Sequence, residues 1–133
     1  MIYYLDLLGA PFKYGGRGND GSYDCYGLAV EIYKRAGLEL PFYESSDSPE
    51  VQALRFAQGA EIYLEPVKTP EPLDFLMFQI IPRFVSHCGI YLGHGKFIHI
   101  TSRTSVTVEQ LALGWQDKLR GIYRLRRDHD NSN

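Results

Sequence analysis

Between residues 28 and 36 apolar side chains recur at i, i+1, i+4, i+5 and i+8 (Leu28, Ala29, Ile32, Tyr33, Ala36), the stripe of an amphipathic helix. Asp24 stands where its N-cap belongs, Lys34 and Arg35 suit its last turn, and Gly37 suits the position just beyond. Upstream, residues 2–8 predict two helical turns ended by Gly9 and Pro11, and residues 13–23, with four glycines, predict a loop. Downstream, residues 41–48 read as a loop, and Pro49-Glu50 opens a short helix to about Gln58. After Gly59 the period shortens to two. Strands are expected near 61–66, 73–79, 84–92, 96–101 and 119–126, with a short helix at 109–115 between the last two. Pro66, Pro70, Pro72 and Pro82 punctuate this half. Helices followed by a mostly antiparallel sheet make an α+β domain.

Composition narrows the picture. The 133 residues fit one domain, read as residues 1–127 followed by a disordered polar tail at 128–133. With 44% hydrophobic and 14% aromatic residues there is ample material for a core. A net charge of -2 gives no electrostatic reason to expect nucleic acid. The one basic concentration is Arg124, Arg126 and Arg127, where the spacing of the first two suits the solvent face of a last strand. Two cysteines are too few for a disulfide scaffold. The opening MIYYLDLLGAPF has no positive leader, and no run approaches the roughly 20 apolar residues of a membrane span. The expectation is synthesis in a reducing cytoplasm, with thiols free by default.

Cys25 follows the expected cap, at the first helical position. There the unpaired N–H groups and the positive end of the dipole favour a thiolate, the nucleophilic form, and can receive an oxyanion. The bland alternative is a small buried apolar residue, so a partner base is needed. Gly27 costs about 1 kcal/mol of helix propensity, which suggests close approach to the backbone by a substrate or a facing strand.

Of the four histidines, His129 falls in the polar tail and His94 in the Gly93-His94-Gly95 turn. Alternation puts His87, Gly89 and Tyr91 on one face of the strand before that turn, and Cys88, Ile90 and Leu92 on the other. Phe97, His99 and Thr101 share a face after it. A three-residue loop pairs Leu92 with Lys96, so His87 opposes Thr101 and His99 opposes Gly89. The two imidazoles then become diagonal neighbours, roughly 7–8 Å apart at the backbone. A two-residue loop would send them to opposite faces. Gly89 between them leaves room for a substrate to pass. Cys88 is read as a core residue, not a disulfide partner of Cys25. Without CxxC or HxxxH spacing, neither a metal nor another cofactor is expected.

Taken together, PFKYGG at 11–16, DCYGL at 24–28, PLDF at 72–75, HCGIYLG at 87–93 and GKFIH at 95–99 resemble the NlpC-type cell-wall peptidases. These are papain-like bacterial and phage cysteine endopeptidases. The resemblance covers most of the chain and implies a papain-like fold with the nucleophile at a helix start. It implies Cys25 as nucleophile, His87 as general base, and His99 as the polar residue that orients the base. Tyr14 matches a tyrosine lining the oxyanion and substrate site. Asp24 matches a residue that in some members helps bind the free amine of a stem peptide. The implied reaction is cleavage of the γ-D-glutamyl–diamino acid bond in peptidoglycan stem peptides. Tyr26 stands where serine is usual, which resembles the subgroup of phage and prophage tails, as does GLELPFY after the helix; tail proteins or a tail particle are then implied partners. Tyr26 is expected to fill or reshape a subsite. Leu73 stands where glycine is usual. Two rival functions remain open: a tail component that keeps the fold without catalysis, and an amidase or acyltransferase on the same fold.

Overall fold

A computed structural model describes residues 2–41 and 44–126. Phe42 and Tyr43 of GLELPFY, Arg127, and the expected tail with His129 lie outside the described residues. The predicted first helix, α1, runs Cys25–Arg35. Asp24 caps it, its carboxylate accepting the Gly27 N–H at 2.7 Å. At the other end the Gly37 N–H bonds back to Lys34 O, with Gly37 at φ 78°. Leu28, Ala29, Ile32 and Tyr33 are buried, as the stripe requires.

The second helix, α2, is longer than its sequence suggests and spans Pro49–Tyr63. Ser48 caps it, and its buried positions Gln52, Phe56 and Ala60 continue at four-residue spacing past Gly59. Packing of Phe56 on Phe75, ring centroids 6.1 Å apart, outweighs the modest propensity cost of one glycine. The expected N-terminal helix reduces to the turn Leu5–Leu7. Here Gly9 N–H bonds Val106 O and Val106 N–H bonds Ala10 O, so the strip is tied to the far side of the chain instead of coiling on itself.

Among the described residues six strands form one antiparallel sheet: β1 Leu64–Pro66, β2 Phe75–Phe78, β3 His87–Gly93, β4 Lys96–His99, β5 Thr107–Gln110 and β6 Leu119–Leu125. Their spatial order is β1-β6-β2-β3-β4-β5. The helix expected at 109–115 is a correction. Thr107–Gln110 is an edge strand on β4, and only then does the turn Leu111–Trp115 begin. One apolar residue, Val108 opposite Ile98, is too little pattern to reveal a strand.

The β3–β4 hairpin corrects a second expectation. Its turn has two residues, His94 and Gly95, both in the left-handed region at φ 55° and 79°, as a type I′ turn demands. Gly93 pairs with Lys96, yet Tyr91 pairs with Phe97 and Ile90 with Ile98. Leu92 is therefore a bulge residue, and the bulge restores the parity that a two-residue loop alone would have destroyed.

The helical face of the sheet holds the main core, including Ile32, Tyr33, Phe56, Phe75, Cys88 and Ile90. Burying each large side chain there contributes about 1.5–3 kcal/mol. The opposite face carries Leu76, Phe78 and Phe97, packed under Leu111 and Trp115. Arg124 does not simply face solvent. Its Nε and an Nη donate to buried Asp74 at 2.9 and 2.8 Å, tying β6 to the turn before β2. Arg126 donates to Leu64 O on β1 at 2.7 Å. Among the described residues no helix is long and apolar enough to cross a membrane.

Candidate active site

The N-terminus of α1 meets the first residue of β3 at a cleft of about 650 Å³, lined by Tyr14, Asp24, Cys25, His87, Glu109 and Trp115 among others. Cys25 is half-buried and, like Cys88, a free thiol. The glycine-rich loop fixes the helix end. A Cβ at Gly27 would lie 1.9 Å from Gly16 O, so the close approach that Gly27 permits is to this loop, neither to substrate nor to a strand. Asp24 N–H bonds Gly16 O, and the Asp24 carboxylate also accepts Gly15 N–H at 3.0 Å and Arg17 Nη at 2.8 Å.

The three residues expected to carry chemistry come together. Cys88 lies on the core face of β3, as its parity requires, and its thiol is the largest influence lowering the Cys25 thiol. Burial works against it, while the hydrogen bond and charge of His87 add to it, so that Cys25 is pulled down to about 5. Burial, with the bond to Cys25, pushes the Cys88 thiol well up, so Cys88 stays protonated as the donor.

His87 Nε2 lies 2.8 Å from His99 Nδ1, and both rings are buried. The diagonal placement predicted from alternation is realised. A Cβ at Gly89 would come within 2.9 Å of the Phe97 ring and 3.2 Å of His99 Cβ, so Gly89 admits these side chains and not a substrate. Burial, with the neighbouring His87 charge, lowers His99 to about 4 despite its carboxylate partner.

That partner, Glu109, escaped the sequence reading. His99 Nε2 lies 2.7 Å from Glu109 Oε2, and Trp115 Nε1 donates to Glu109 Oε1 at 3.0 Å. Burial raises the Glu109 carboxyl, but the hydrogen bonds from His99 and Trp115 outweigh it and hold it below its ordinary value. The only trace in the sequence is the pair β4–β5, where Glu109 opposes Phe97 and stands diagonal to His99.

Tyr14 is 59% exposed at the cleft mouth, its ring edge-on to Phe12 at 4.8 Å. Tyr26 lies elsewhere. It is buried among Phe56 and Phe75, donates its hydroxyl to Pro41 O, and carries the Arg17 guanidinium 5.5 Å above its ring. It sits behind the cleft wall and does not line it. A thiol held as thiolate beside an imidazole, with a second imidazole and a carboxylate behind, can perform nucleophilic attack with proton transfer.

Comparison with known proteins gives the same outline. The family model described as NlpC/P60 matches residues 9–124. A γ-DL-glutamyl hydrolase of Bacillus subtilis is 32% identical over 120 residues, which cover 88% of this chain and 26% of that protein. Tail tip assembly protein K of Escherichia phage lambda is 26% identical over 120 residues, 87% of this chain and 60% of that protein. The chain thus spans about a quarter and three-fifths of these two relatives. A crystal structure of an NLP/P60 family protein from Staphylococcus aureus aligns with a TM-score of 0.67 and 26% identity, over 91% of this chain and 38% of that one. The fold is the α+β, papain-like arrangement of these neighbours.

Proposed function

The chain belongs to the NlpC/P60 family, and from that premise we propose that it is a cysteine endopeptidase acting on peptidoglycan stem peptides. The bond proposed is the γ-D-glutamyl–diamino acid amide, in line with the name of the Bacillus subtilis relative. The observation that carries the reading is that Cys25 and His87 line one open cleft, with His99 buried behind His87 at 2.8 Å.

His87 takes the Cys25 proton, and the thiolate attacks the amide carbonyl. The Cys25 N–H belongs to the first turn of α1, where N–H groups have no carbonyl partner within the helix, and it receives the developing oxyanion; the Tyr14 hydroxyl at the cleft mouth assists. His87 protonates the leaving amine, and water then releases the acyl group from Cys25. Asp24 already serves three donors, so a free substrate amine would have to compete with Arg17 for it.

The setting proposed is a phage or prophage tail, with tail proteins as partners, supported by the similarity to the lambda tail tip protein. Digestion of defined stem peptides with product masses read out tests the whole reading. Wild-type protein should yield the two fragments of γ-D-glutamyl cleavage, and Cys25→Ala none. Equal turnover by Cys25→Ala would remove Cys25 from the chemistry. Cleavage at another amide would favour the amidase reading, and an inert Cys25 would favour a purely structural tail component.

A further inference from the structure

Two residues that the proposed reaction does not name sit behind His99, the partner of its base. Glu109 comes from the edge strand β5 and Trp115 from the turn that follows it. Together they extend the line Cys25, His87, His99 by two further hydrogen bonds, at 2.7 and 3.0 Å. We propose that Glu109 is the positioning residue of the histidine pair: held by the Trp115 indole, it fixes the tautomers of His99 and His87 so that His87 Nδ1 is the nitrogen presented to Cys25.

The argument is one of donors and acceptors. An ionised carboxylate only accepts, so the hydrogen between Glu109 and His99 resides on His99 Nε2. A neutral His99 then has a lone pair on Nδ1 and must accept there. The contact at 2.8 Å therefore requires His87 to donate from Nε2. In a neutral His87 this leaves Nδ1 unprotonated and turned to the task of receiving the Cys25 proton. Reverse the first hydrogen and the whole line reverses, with His87 Nδ1 carrying a hydrogen it would have to lose before acting as base.

The surroundings favour this polarity. Glu109 is faced by His99 from β4, by the more distant His87 from β3, and by the Trp115 indole; Lys118 Nζ lies 5.6 Å over that indole. The hydrogen bonds from His99 and Trp115 stabilise the carboxylate as an anion. The rings are clamped as well. Trp115 stands edge-on to His99 at 4.6 Å, and Phe97 packs tilted against His99, also at 4.6 Å. Neither imidazole can turn over without displacing an aromatic neighbour. The inference deepens the peptidase reading and rests on it for its importance, but the tautomer and alkylation tests require no substrate.

In wild-type protein, 15N NMR of the histidine side chains should show His99 protonated at Nε2, and His87 protonated at Nε2 when Cys25 is a thiol. A His99 protonated at Nδ1 alone would overturn the proposal. The second test is the pH dependence of Cys25 alkylation by iodoacetamide. Glutamine has one acceptor oxygen for two donors, so Glu109→Gln should raise the alkylation midpoint by about half a pH unit or more. On a cleavable stem peptide kcat should fall about tenfold to a hundredfold, the cost usual for a group behind a reactive ligand, with KM within about threefold. Trp115→Phe keeps the ring and removes one N–H, and should move both quantities in the same direction by less. If Glu109→Gln is folded by its melting transition and keeps the wild-type midpoint and kcat, Glu109 has no positioning role. If that variant does not fold, Trp115→Phe and the wild-type tautomers decide. Should no stem peptide be cleaved while the tautomers stand as assigned, the peptidase reading falls and the polarity of the line survives.

Discussion

Cys88 is a buried thiol that acts on the proposed nucleophile, Cys25, and is worth a measurement. Its hydrogen stabilises the Cys25 thiolate more than any other single contact, so Cys88→Val should raise the Cys25 alkylation midpoint from about 5 while Cys88→Ser, which keeps a donor, should raise it less. An unshifted midpoint in Cys88→Val would give His87 the larger role. Gly27 is the most constrained position at the helix start. Gly27→Ala drives a methyl into a backbone carbonyl, and should lower stability by about 2–4 kcal/mol in chemical denaturation as well as displacing Cys25. The sequence announces Gly27 by its propensity cost but not what it makes room for, because Gly16 is eleven residues away in a loop without periodicity. Leu73 shows the reverse. It adopts φ 81°, the left-handed region that suits the glycine usual there, and anchors the strained turn by accepting the Tyr33 hydroxyl.

At the scale of elements, alternation carries far. It places His87 and His99 on one face and Cys88 on the other without any coordinate. It fails where an element is short or an irregularity intervenes. β5 contributes a single buried-type residue to its pattern, so Glu109 is read as the start of a helix. The bulge at Leu92 is invisible because the Gly93-His94-Gly95 triplet serves a two-residue or a three-residue loop equally well. Insertion of one residue between His94 and Gly95 therefore tests the hairpin. If the bulge at Leu92 absorbs it, His99 keeps its face and the protein still alkylates at low pH. If the register slips, His99 turns to the core and reactivity falls with stability. The other decisive link between elements is Arg124 with Asp74. Arg124→Ala leaves a buried carboxylate without its cation, and the midpoint of unfolding in urea should fall below that of the wild type.

For the whole molecule, the buried histidine pair links stability to acidity. His99 is depressed from 6.5 to about 4, so between those values the unfolded chain binds a proton that the folded chain refuses. Stability from this source is complete above about pH 6.5 and is lost as pH falls through about 4. Melting temperature should therefore decline over that window, and a His99→Asn variant should show a flatter decline. The order of the sheet has a consequence of another kind, in the making of the protein. The last of the described strands in chain order, β6, lies inside the sheet between β1 and β2, and brings the arginine that neutralises Asp74. A ribosome delivering this domain releases Cys25 well before the interior strand. Cys25 thus emerges long before its scaffold is finished, and the sheet closes only when residue 125 is available, so a chain stopped before Leu119 should remain a target for degradation.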